Sequence, residues 1–137
     1  MVRLLCPGLR ALPVVAALTA GLAWAVPAAP LLRCVLAASG DVIHLEARPV
    51  ADPYPVAAVP VGRSFRFKAV LLADGAAPPV AKLSTYVYTP RQYVLAHQAT
   101  WVAPTPGSPA APLGEQRVYS PRTGAELRYR CDWEVAP

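Results

Sequence analysis

The chain is expected to be all-β, an antiparallel β-sandwich of about seven strands. Three observations lead there. Several segments alternate apolar and polar side chains residue by residue, the signature of strands with one face in a core. Turn residues recur every dozen positions or so along the chain. No segment beyond the N-terminal apolar run has a helical period.

The alternation is clearest at the C-terminal end. From Ala125 to Val135, Leu127, Tyr129, Cys131, Trp133 and Val135 fall on one face; Glu126, Arg128, Arg130, Asp132 and Glu134 fall on the other. A preceding strand from Gln116 to Tyr119 and the turn Ser-Pro-Arg-Thr-Gly complete a closing hairpin.

In chain order, residues 1–25 come first and read as a secretory signal. Arg3 and Arg10 precede an apolar run from Ala11 to Leu32, and Ala23-Trp24-Ala25 has the small-x-small form of a cleavage site. A membrane anchor is the competing reading, because a spanning helix needs roughly 20 apolar residues. Pro13, Pro27 and Pro30 oppose it, since an interior proline removes a helix hydrogen bond and clashes with the turn before it. Leu31-Leu32-Arg33 before Cys34 is unlike the small residues that precede a lipidated cysteine.

Cleavage after Ala25 leaves residues 26–137, a single domain of 112 residues. Arg3 and Arg10 leave with the signal, so basic residues fall from 13 to 11 against 8 acidic ones. Lys68 and Lys82 are the only lysines. Abundant Ala, Pro and Arg with scarce Lys point to a GC-rich genome and an exported bacterial protein, periplasmic or secreted. With a modest charge and export, nucleic acid is not an expected partner.

Leu31 to Ala37 and Val42 to Arg48 form a first hairpin about the turn Ala38-Ser39-Gly40-Asp41. Ile43, Leu45 and Ala47 share one face of its second strand, His44, Glu46 and Arg48 the other. Pro49 to Gly62 has prolines at 49, 53, 55 and 60, so it is an extended connection or a ragged edge. Arg63 to Ala73 lines Phe65, Phe67, Ala69 and Leu71 along one face, and turns apolar on the other at Val70 and Leu72. Lys82 to Thr89 and Gln92 to Val102 follow as strands, the second placing Tyr93, Leu95, His97, Ala99 and Trp101 together. Thr105 to Gly114 is a second proline-rich loop.

Cys34 and Cys131 remain after export and are expected to form a disulfide between the two ends of the domain. The number of strand segments and the spacing of turns make an Ig-like or related Greek-key topology the expected member of the β-sandwich class, and Tyr129-Arg130-Cys131 resembles the Tyr-x-Cys of immunoglobulin domains over three residues. The tryptophans depart from that pattern, and the cysteine spacing better suits a first strand tied to a last.

Motifs for chemistry are sparse. There is no Gly-x-Ser-x-Gly, no glycine-rich phosphate loop and no Cys-x-x-Cys. Met1 is the sole methionine and leaves with the signal. His44 and His97 are the only histidines and the candidates for metal ligands, with Glu46 or Asp41 in support. Asp132 and Glu134 share a strand face and could be paired carboxylates, although neighbouring Arg128 and Arg130 suit a salt-bridged solvent face.

Arg117, Arg122, Arg128 and Arg130 with Tyr119 make the closing hairpin a candidate interaction face, and Tyr86 and Tyr88 could join it. The expected function is a non-enzymatic exported module that binds an unidentified protein or anionic ligand and uses no cofactor. The alternative is a periplasmic metal-binding protein.

Overall fold

The computed structural model describes residues 29–134, apart from residues 76, 106 and 110. The segment read as a signal peptide, and Val135, lie outside the described residues. Nine strands form two sheets: β1 (Leu31–Ala38), β2 (Asp41–Ala47), β3 (Pro49–Val50), β4 (Val59–Val61), β5 (Phe65–Leu72), β6 (Val80–Tyr88), β7 (Tyr93–Val102), β8 (Leu113–Tyr119) and β9 (Glu126–Glu134). Sheet one runs β2-β1-β9-β8; sheet two runs β3-β5-β6-β7, with β4 also on β5.

Apart from β3, which lies parallel on β5, neighbours within the two sheets follow chain order, and the chain crosses between sheets at β2–β3 and again at β7–β8. The pair β1–β9 closes the circuit by joining first strand to last. This is a meander folded into two layers, and it differs from the Greek-key order of immunoglobulin domains.

The two strands beyond the expected seven lie in the proline-rich connection. β3 pairs parallel to β5 over Pro49 and Val50, and β4 pairs antiparallel over Val59 to Val61. Proline cannot donate to a ladder, so both pieces are short and sit at an edge. Lys68 Nζ donates to the Pro53 carbonyl at 3.1 Å, which holds the intervening loop near the outward side of β5. Val70, the outward apolar residue two positions on, is buried.

The β1–β2 hairpin has a two-residue loop, with Ala38 paired to Asp41. Ser39 and Gly40 both have positive φ, at 53° and 88°. That is the twist of a type I′ turn, which matches the right-handed twist of the flanking strands.

The core lies between the inward faces. Sheet one contributes Leu32, Cys34, Leu36, Leu127, Tyr129 and Cys131; sheet two contributes Val61, Phe65, Phe67, Leu71, Leu83 and Thr85. Full burial of such apolar side chains is worth about 1.5–3 kcal/mol each. The sheets meet through rings: Phe67 lies 4.8 Å from Tyr129 and Trp101 lies 5.0 Å from Trp133, centroid to centroid.

Cys34 and Cys131 stand directly opposite each other on β1 and β9 and are joined by a disulfide. The bridge therefore ties first strand to last within one sheet, as the spacing suggested.

β7 departs from simple alternation. Thr85 of β6 faces His97, but Tyr86 faces Leu95, so Ala96 is an extra residue, a β-bulge. The row from Tyr93 to Trp101 is split there. His97, Ala99 and Trp101 sit opposite the inward residues Thr85, Leu83 and Ala81; Leu95 and Tyr93 sit opposite the outward Tyr86 and Tyr88.

A basic, tyrosine-bearing end of sheet two as candidate functional site

Charge is segregated between the sheets. Strands of sheet one hold Asp41, Glu46, Glu115, Glu126, Asp132 and Glu134, six of the 8 acids. Strands of sheet two hold no Asp or Glu, and hold Arg66, Lys68 and Lys82.

On sheet one the arginines are compensated. Arg117 approaches Glu115 at 2.8 Å and Glu126 at 3.9 Å; Arg128 also reaches Glu126, at 3.5 Å. Arg130 pairs with Asp132 at 3.4 Å, and Arg33 bridges Glu46 and Glu134 at 3.3 and 2.8 Å. Two hydrogen bonds from Arg117 to Glu115 Oε1 hold its guanidinium proton above the ordinary arginine range, with the charge of Glu115 and Glu126 adding to the effect. Alternation of Arg and acid along β9, repeated across to β8 and β1, produces this lattice of mutual pairs.

Arg122 is set apart from the other arginines of the closing hairpin. It lies in the β8–β9 turn, and its guanidinium carbon stands 5.8 Å from the centre of the Tyr88 ring, on sheet two. Tyr88 meets Tyr93 edge to face at 5.5 Å, and Arg66 lies 4.3 Å above Tyr93. The bulge at Ala96 makes this cluster by turning Tyr93 outward beside Tyr88. Tyr119 stays on the outward face of sheet one, opposite Glu126.

Three turns converge at this end. Tyr88 N–H donates to the Ser64 carbonyl at 2.8 Å, and Ser64 Oγ lies 3.0 Å from Thr123 Oγ1. Those contacts join the β4–β5 turn to the end of β6 and to the β8–β9 turn. They bring Arg63 and Arg122 to the end where Arg91, in the β6–β7 turn, and Arg66 already stand. All four side chains are exposed, and among the described residues none has a carboxylate within 4.0 Å. Asp41, the first residue of β2, stands beside the β1–β2 turn at this end.

An arginine stacked on a ring keeps its outward N–H donors free, and the weakly hydrated guanidinium sheds water readily. The arrangement suits anions, with carboxylates held by forked hydrogen bonds and ring faces left for apolar groups. Composition alone did not reveal it, because Arg66, Tyr88, Tyr93 and Arg122 come from separate elements.

The two histidines are not brought together. His44 is exposed on the outward side of β2, whereas His97 faces inward from β7 with Nδ1 3.2 Å from Tyr129 Oη. β2 lies against β4 and β5, while β7 lies against β8, at the opposite seam of the sandwich. One ion cannot be held by both side chains in this geometry. Among the described residues no group of three or more His, Cys, Asp or Glu is placed to hold a metal ion. Asp132 and Glu134 stand on the exposed face of β9, engaged by Arg130 and Arg33.

Burial pushes the Tyr129 hydroxyl up to about 12. Thr85 Oγ1, opposite His97 in register, and Trp133 Nε1 are buried without a hydrogen-bond partner.

Comparison of the chain with protein-family models, with curated proteins and with solved structures finds no match. Among the described residues no helix is long and apolar enough to cross a membrane.

Proposed function

We propose that this chain is an exported, non-enzymatic β-sandwich that works as a binding or accessory module. It engages an acidic segment of a partner protein, or another anionic ligand, through the outward face and turns of sheet two. One observation carries this reading. Arg63, Arg66, Arg91 and Arg122 collect with Tyr88 and Tyr93 where no carboxylate among the described residues pairs with them, while the arginines of sheet one are neutralised by neighbours.

Export is supported by the N-terminal apolar run with its cleavage-like Ala-Trp-Ala. The Cys34–Cys131 disulfide is compatible with an oxidising compartment.

The test is a titration of the disulfide-intact protein with a labelled peptide rich in Asp and Glu. Replacing Arg66 or Arg122 by Gln is expected to weaken binding about two- to fivefold each, the worth of an exposed charge pair. The double variant Arg128→Gln/Arg130→Gln is expected to leave affinity unchanged. The reverse pattern would move the site to the closing hairpin. Turnover of hydrolase or redox substrates by the purified protein would end the non-enzymatic reading.

A further inference from the structure

Two sheets have four edges, and three of them are blunted in ways that discourage pairing with another chain. β2 carries Asp41, His44 and Glu46. β8 carries Glu115 and Arg117, and its register is broken between Leu113 and Gln116. The edge beyond β5 consists of two pieces of 2 and 3 residues, with Pro49 and Pro60 in them. Charges, prolines, bulges and short strands are the usual protections of an edge.

β7 lacks most of them. It is 10 residues long, contains no Asp, Glu, Lys, Arg, Pro or Gly, and pairs only with β6 among the described residues. Val94, Leu95 and Val102 are 36%, 51% and 56% exposed. The bulge at Ala96 protects the first part of the strand. Beyond it, His97 to Val102 runs in unbroken register against β6 and leaves a straight edge of roughly 20 Å by the rise of a strand.

We infer that the His97–Val102 edge of β7 pairs antiparallel with the same edge of a second copy, joining the two copies of sheet two into one continuous sheet. A second copy is favoured over an unrelated strand by the absence of charge. Two-fold pairing sets a strand against itself, so any Lys, Arg, Asp or Glu would come close to its own copy, and like charges across a ladder destabilise it. In β7 only Gln98, Thr100 and Val102 project outward along this segment, and none can oppose itself electrostatically. The contact is independent of the basic end of sheet two, and antiparallel pairing places the basic ends of the two copies at opposite ends of the joined sheet.

The experiment is sedimentation of the full chain, exported and with Cys34–Cys131 formed, over a wide range of concentration. The expected result is a reversible monomer–dimer equilibrium, abolished in the double variant Gln98→Glu/Thr100→Glu. Within one copy, position 98 faces Ser84 and position 100 faces Lys82. The two new carboxylates therefore meet a hydroxyl and a cation, so the fold is retained and thermal unfolding of the monomer reports on it. Hydrogen exchange gives a second reading: amides of His97–Val102 slow as the wild type is concentrated and stay fast in the variant. A monomer at every concentration overturns the inference, as does a dimer that the double variant leaves intact.

Discussion

Thr85 is a β-branched residue at a fully buried position of β6, and its hydroxyl has no partner among the described residues. A lone buried hydroxyl loses its bonds to water and gains none, so Thr85→Val is expected to stabilise the protein by about 1 kcal/mol. A rise in thermal midpoint checks this, and a fall would mean that Oγ1 is satisfied in solution. Tyr129, also in the core, makes a separate prediction. Its folded pKa, about 12, is above the ordinary value of 10.0. The protonated, neutral ring is therefore favoured by folding, and this contribution is complete below pH 10 and disappears as pH rises toward 12. Tyr129→Phe is expected to show a shallower alkaline loss of stability than wild type in that window, after a penalty at neutral pH for the bond to His97. Parallel pH profiles for the two proteins would contradict it.

Elements with one wet face were legible from alternation alone. β5 buries Phe65, Phe67, Ala69 and Leu71, β9 buries Leu127, Tyr129 and Cys131 with Trp133 partly buried, and Val70 is buried on the second face of β5 where the pattern turned apolar. β7 was legible as a strand but not in its facing. A bulge inserts one residue without altering local composition, so nothing in Tyr93 to Val102 marks Ala96 as the extra one. The consequence is testable by deletion. Removing Ala96 leaves Leu95 opposite Tyr86 and His97 opposite Thr85, so the protein is expected to remain folded. Removing Thr100 shifts every residue on one side of it to the opposite face and is expected to unfold the sheet. Circular dichroism and tryptophan fluorescence distinguish the two, and equal damage from both deletions would contradict the bulge. β3 and β4 lie in the stretch expected to be an extended connection or a ragged edge, and their bounds were not legible because a short edge piece containing proline has no period to detect.

At the scale of the whole molecule, the disulfide and the order of strands support the same closure. Cys34 and Cys131 are 97 positions apart and adjacent in space because β1 pairs with β9. Cross-linking a loop of that length restricts the unfolded chain by about 4–5 kcal/mol at most. Replacing both cysteines by Ser is expected to cost roughly 2–5 kcal/mol in denaturant unfolding, the range for small exported domains. A loss below half a kilocalorie would mean that the β1–β9 pairing already sets the closure unaided. The charge segregation also belongs to this scale. Which acid faces which arginine depends on sheet membership, and that is decided by pairings between distant segments. Arg128 and Arg130 could be recognised as a self-compensating face from the alternation of β9. The departure of Arg122 toward Tyr88 could not, because the direction of a turn leaves no periodic trace.

The central claim is that binding belongs to the basic, tyrosine-bearing end of sheet two. Amide and ring chemical shifts, followed by nuclear magnetic resonance while an acidic peptide is added to isotope-labelled, disulfide-intact protein, test it most directly. The account predicts shifts concentrated at Arg66, Tyr88, Tyr93 and the turns bearing Arg63, Arg91 and Arg122, fading as salt is raised. Shifts confined to Arg117, Arg128 and Arg130, or none at low salt, would contradict it.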